Sequence, residues 1–221
     1  MNNWYYILRI FNRIWRCFPR MRINRNNSVN CNPSDKINSI VSWNIQGLFY
    51  YMYDSKINNI LYTLNNMDTD VICLQEVFED DLKETIIKDL SYKYPYYLLG
   101  NRDKKYYLGE DSGLLVLSKY KINFVKEVIL PFIHCTPDKF SNRSVIYFQI
   151  GDINISTTHL QSNNERISEK NIHLMLQESP FQQYILTGDF NHNQAEDIIQ
   201  VRNNNTIRTW GDNQILDYIL P

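Results

Sequence analysis

The stretch YILTGDFN, Tyr184 to Asn191, carries good strand-forming residues into a glycine, an acid, an aromatic ring and an amide. An apolar strand that stops at Asp189 and Asn191 delivers two oxygen-bearing side chains to its own end. The same grammar recurs along the chain. SIVSWN (Ser39–Asn44), DVICLQE (Asp70–Glu76), INISTTHLQ (Ile153–Gln161) and ILDYIL (Ile215–Leu220) read as strands with Asn44, Glu76, His159 and Asp217 at or near strand ends.

Helical patterns separate several of these strands. Asp54 or Ser55 can cap a helix running to about Asn66, with Ile57, Ile60, Leu61 and Leu64 on one side. Helices are also expected over Asp80–Leu90 and Glu165–Glu178, and a short one over Gln194–Val201. YYLL, GLLVLS, NFVKEVIL and SVIYFQI read as strands with no long helix between them. DVICLQE is apolar on both alternating faces, as expected of a strand covered on both sides. This mixed order of βα units and strand pairs predicts α/β layers around sheets, not a pure doubly wound fold.

With 43% hydrophobic residues in 221 positions, the chain can bury the core of one sizeable domain. The net charge of −1 conceals an asymmetry: six arginines and no acid precede Asp35, so the remainder holds all the acidic excess. Charge alone therefore gives no support to a generally basic nucleic-acid binder. The four cysteines, Cys17, Cys31, Cys73 and Cys135, form no CxxC pair and no zinc spacing, which fits a reducing compartment. Cys73 lies in an apolar run and reads as a small core residue.

Residues 1–26 form a basic aromatic N-terminal segment, 27–37 a polar linker, and 38–221 the folded domain. Arg9, Arg13, Arg16 and Arg20 share one helical face, beside Tyr6, Ile7, Ile10, Phe11, Ile14, Trp15 and Phe18. Such a face suits a helix lying among lipid headgroups, so residues 4–20 are a candidate membrane contact. A helix docked on the domain, a disordered leader and an organelle-targeting peptide are the competing readings. The arginines interrupt the apolar run needed for a spanning helix or a secretory signal. The expected location is intracellular rather than classically secreted, with membrane association if residues 4–20 contact lipid.

Carboxylate and amide oxygens suit a hard cation such as Mg²⁺, and an imidazole suits proton transfer. In α/β sheets, reacting groups gather beyond strand ends. Asn44, Glu76, His159, Asp189, Asn191 and Asp217 thus form a candidate hydrolytic set; loop caps facing solvent are the alternative.

Taken in order, SWN (Ser42–Asn44), LQEVF (Leu74–Phe78), SGLLVLSKYKI (Ser112–Ile122), THLQ (Thr158–Gln161), GDFN (Gly188–Asn191) and LDYIL (Leu216–Leu220) resemble the endonuclease/exonuclease/phosphatase superfamily. The resemblance spans about residues 38–220 and is strongest to its neutral and bacterial sphingomyelinase-like members. It implies a four-layer α/β sandwich, two mixed β-sheets face to face with helices outside, and phosphodiester hydrolysis using Mg²⁺ or another divalent cation. Glu76 would be the principal metal ligand with Asn44 beside it. His159 would stabilise the transition state or donate a proton, and Asp189 would orient and help deprotonate the attacking water. Asn191 would hold a phosphate oxygen or a metal-bound water. Arg143, in FSNRSV, would reach the substrate phosphate, although Ser144 stands where those members usually carry glycine. A phospholipid substrate is favoured over nucleic acid.

The resemblance also implies a Ser-Asp-His motif beyond the DY strand, its histidine oriented by Asp217. The sequence ends at Pro221, so the domain is expected to be C-terminally shortened, with an unpaired sheet edge. A weakened enzyme, a non-catalytic membrane- or partner-binding relative, and a truncated form of an active parent are the three expectations that follow.

Overall fold

In a computed structural model, residues 35–47, 54–100, 111–131, 141–162, 164–192, 195 and 217–220 are described, the last four for their backbone. The basic segment 1–26, most of the linker, His134 and the helix expected over Gln194–Val201, except Ala195, lie outside the described residues.

Nine strands and three helices occur among the described residues: β1 Ile40–Asn44, α1 Asp54–Asn66, β2 Val71–Gln75, α2 Asp80–Leu90, β3 Tyr96–Leu99, β4 Leu115–Ser118, β5 Asn123–Leu130, β6 Arg143–Ile150, β7 Ile153–His159, α3 Glu165–Glu178, β8 Ile185–Asp189 and β9 Asp217–Leu220. No described helix is long and apolar enough to cross a membrane. The first sheet has the order β1-β2-β4-β3 and the second β5-β6-β7-β8-β9. Both are mixed. β1 and β2 run parallel, as do β7 and β8, while the other neighbours are antiparallel.

The side-chain period of two sorts the core into three slabs. Ile72 and Leu74 of β2 turn outward to Ile60 and Leu64 of α1 and Leu82 and Ile86 of α2. Val71 and Cys73 of the same strand turn inward to Ile146, Phe148 and Ile155 of the second sheet. On the far side, Val145 and Tyr147 of β6 meet Ile172 and Met175 of α3. Helix, sheet, sheet, helix is therefore the layer order, the four-layer α/β sandwich that the motif resemblance implies. Every residue of β2 is buried, as its two-sided apolar character predicts.

The parallel pairs matter most for function. Parallel neighbours finish at the same edge of a sheet, and β1 also packs against β8 and β9 across the sandwich. The ends of β1 and β2 are thus brought opposite the ends of β7 and β8.

Candidate active site

The strand ends converge. Asn44 closes β1, and its side-chain Nδ2 donates to Glu76 Oε1 at 2.9 Å and to Asp189 Oδ2 at 2.8 Å. Its Oδ1 accepts the backbone N–H of Gln46 at 2.9 Å, which fixes the amide's orientation. One amide thereby clips two carboxylates, from different sheets, to a common point. His159 ends β7, with Nε2 3.7 Å from Glu76 Oε1 and 3.8 Å from Asp189 Oδ2.

The register explains part of this arrangement. His159 pairs with Asp189, and Asp189 with Asp217, so three consecutive strands deliver three candidate residues, one histidine and two aspartates, to one level of the sheet. Asp217 is placed here by its backbone. Gly188, one residue before the acid, has φ +136°, and a Cβ there would run into the Thr158 carbonyl oxygen. Glycine thus lets β8 lie close against β7 just before the site. Phe190 is fully buried in the slab facing α3, so the alternation in D-F-N turns the ring to the core.

Glu76 does not belong to the strand that precedes it. β2 ends at Gln75, and Glu76 takes φ +59°, a left-handed conformation unusual for a residue with a Cβ. The turn beyond it is secured by the Val77 N–H bond to Gly113 O at 2.8 Å. Gln46 and Asn191 also have positive φ, at 51° and 47°. Three such residues around one cluster mark a backbone bent to present side chains.

Asn191 is tied down by two hydrogen bonds. Its N–H donates to Asp189 Oδ1 at 3.0 Å and its Nδ2 to Leu160 O at 2.9 Å. It therefore links the Asp189 carboxylate to the backbone just after His159. Arg143 is the first residue of β6 and is buried, with Nη1 donating to Ser141 Oγ at 3.0 Å. Its charge is felt at His159, whose pKa is held well below the ordinary histidine value, first by burial and then by Arg143. His159 is accordingly a neutral imidazole near pH 7.

Lys56 of α1 was not singled out by any motif, yet it stands beside the cluster. Its Nζ donates to Gln46 O at 2.9 Å; burial lowers its pKa, against the opposing pull of Glu76. Lys83 and Asp111 were equally silent in the sequence, because a lysine in an amphipathic helix and an acid in a polar loop ordinarily face water. His173 is exposed on α3, whereas His192, in the loop after β8, is buried.

The donor set fits a hard divalent cation. Two carboxylates of like charge are drawn to one amide, with the His159 imidazole beside them, and carboxylate oxygens are the donors such an ion takes. Mg²⁺ binds through one or two carboxylates together with water and substrate phosphate, so a closed protein cage is unnecessary. Among the described residues no group of three or more His, Cys, Asp and Glu is arranged as such a cage. Glu76 would be the carboxylate to hold such an ion, with Asp189 beside it. Asn44 presents its nitrogen to them, so direct ligation by its oxygen would require the amide to turn.

Residues 41–221 match the Endonuclease/Exonuclease/phosphatase family, and the chain belongs to that family. Among solved structures, its fold is similar to a magnesium-bound F277A, P278A mutant of beta toxin from Staphylococcus aureus, with TM-score 0.64 and 18% identity over 84% of this chain and 83% of that one. Sphingomyelinase C from Streptomyces griseocarneus gives TM-score 0.62 and 18% identity, covering 84% of each chain. TDP2 from D. rerio, complexed with a single-strand DNA product, gives TM-score 0.53 and 22% identity over 74% of this chain and 65% of that one. A search of curated proteins finds no match.

Proposed function

We propose that the chain is a divalent-cation-dependent phosphodiester hydrolase acting on a phospholipid headgroup. The observation that carries this reading is the meeting of Asn44, Glu76, His159 and Asp189 between the two sheets, in a member of a family of phosphoester-cleaving proteins.

The chemistry follows from what each group can do. A bound divalent cation neutralises phosphate charge and stabilises the charge that builds on its oxygens. Glu76 would provide the principal carboxylate for that ion. Asn44 holds Glu76 and Asp189 together, limiting the cost of orienting them at each turnover. Asp189 accepts a hydrogen bond from the attacking water and takes its proton as attack proceeds. Neutral His159 directs its Nε2 proton at the phosphoryl or leaving oxygen, and Arg143 adds positive charge behind it. Asn191 holds Asp189 in register with the backbone following His159.

A phospholipid is preferred for three reasons: the sphingomyelinase-like motif contexts, the likeness in fold to a sphingomyelinase C, and the basic aromatic face of residues 4–20, suited to a lipid surface. The test is phosphocholine release from sphingomyelin vesicles, with Mg²⁺ and with a chelator, by the full chain and by Glu76→Gln. Mg²⁺-dependent release that disappears in the variant is expected. Absence of release at high protein concentration ends the lipid reading.

The second reading is a nuclease on the same scaffold, favoured by the fold likeness to the TDP2 complex. Plasmid nicking lost in Glu76→Gln, without lipid cleavage, would select it. A non-catalytic membrane- or partner-binding relative would instead bind vesicles through residues 4–20 and cleave neither substrate.

A further inference from the structure

Glu76 sits in a costly conformation, and such conformations persist only where their surroundings over-determine them. The surroundings here form a closed circuit. Lys83, in the first turns of α2, is 1% exposed. Its ammonium donates to Phe78 O at 2.9 Å, Asp80 Oδ1 at 3.2 Å and Asp111 Oδ2 at 2.8 Å. Those three contacts use all its protons. The other oxygen of Asp111 accepts Gly113 N–H at 2.9 Å, and Gly113 O accepts Val77 N–H. Lysine, Phe78, Val77, Gly113 and Asp111 thus close a ring around the two residues that follow Glu76.

Gly113 completes the fit. Its φ is +66°, and a Cβ there would lie 2.6 Å from the Phe78 ring and 3.2 Å from Glu76 Cα. A buried ion pair is seldom a good stabiliser, since apolar replacements of similar volume commonly do as well or better. What the pair can supply is a tether, since the buried ammonium directs its three protons at oxygens of three separate residues.

We propose that Lys83, acting through Asp111 and the Phe78 carbonyl, is the positioning residue that holds the Glu76 turn in its left-handed conformation. The claim rests on Glu76 being the cation-facing carboxylate of the proposed hydrolase. Lys83 touches no substrate; it acts through the backbone of the turn.

The decisive variant is Lys83→Met combined with Asp111→Asn in the full chain. Lys83→Met alone leaves a buried carboxylate uncompensated and is expected to be the less stable of the two. Two quantities are read: amide exchange at Val77 against Cys73 in the centre of β2, and Mn²⁺ affinity by calorimetry. The double variant should melt within a few degrees of the parent. Its Val77 amide should exchange at least tenfold faster while Cys73 keeps its protection, and Mn²⁺ should bind about tenfold more weakly. Unchanged Val77 exchange overturns the proposal. So does uniform loss of protection or failure to fold, either of which makes the ion pair a plain stability element. Glu76→Gln provides the separate control. Should that variant bind Mn²⁺ as the parent does, the cation reading of Glu76 fails, while Val77 exchange still decides the positioning role.

Discussion

The side-chain nitrogen of Asn44 lies 2.8 Å from Asp189 Oδ2, joining residues 145 positions apart and on different sheets. The same nitrogen serves Glu76 Oε1, so one amide offsets the repulsion between two carboxylates. Asn44→Ala should destabilise the metal-free protein by about 1–3 kcal/mol, the usual cost of leaving buried acceptors without their donor. Added Mg²⁺ should recover part of that loss, because the ion performs the same neutralisation. Urea unfolding with and without Mg²⁺ measures both effects; a loss that Mg²⁺ leaves unaltered would separate Asn44 from the cation site.

Asp189→Asn preserves size and removes the proton acceptor. Hydrolysis should fall by roughly 10³-fold or more, as expected when one member of a cooperating set is lost. The folded structure should survive, since the backbone pairing of Asp189 with His159 and Asp217 does not depend on its charge. Phosphocholine release and circular dichroism together provide the check.

Buried, neutral His159 links stability to pH. Its folded pKa is depressed, so below about pH 6.5 the unfolded chain takes up a proton that the folded chain refuses. Its contribution is fully present above the unfolded value and is lost on acidification from about pH 6.5 towards the folded pKa. Urea titrations of metal-free protein between pH 7.5 and 5 should show stability declining, and His159→Gln should flatten that decline.

Gly188→Ala tests the approach of β7 and β8. The new Cβ meets the backbone oxygen of Thr158, which no side-chain rotation can relieve, and φ is +136°. A loss on the order of 3 kcal/mol or more is expected, at the severe end for single substitutions. Thermal unfolding measures it, and a melting temperature equal to the parent's would contradict the packing.

Cys73 lies fully buried between the sheets, and burial pushes its thiol pKa up to about 11. In a variant with Cys17, Cys31 and Cys135 replaced by serine, the thiol should resist maleimide until the sandwich opens. Its labelling rate should therefore track unfolding, measured by the denaturant dependence of the reaction.

Local pattern reading located much of the framework. The helices Asp80–Leu90 and Glu165–Glu178 have the bounds their periodicity suggests, the first helix ends at Asn66 as expected but already includes Asp54 and Ser55, its expected caps, and β2 is buried on both faces as its composition requires. Those features depend on neighbours within a few residues, which is the range over which periodicity speaks. Glu76 is different: its left-handed turn packs closely on Gly113, 37 positions further along, and cannot be inferred from an apolar run ending in an acid. The amide of Asn191 is likewise committed to Leu160, a partner 31 positions away. Burial of Lys83 depends on Asp111, whose carboxylate reaches it from 28 positions along the chain.

By itself, the order of residues determined which side chains stand at the strand ends, and that a carboxylate, amide and imidazole chemistry was available there. Tertiary structure alone decided that these ends meet. Parallel pairing brings neighbouring strands out at one edge, and packing of the two sheets places Asn44 against Asp189. Periodicity governs which face a residue occupies, but the distance between two strand ends is decided by how the sheets close on their shared core.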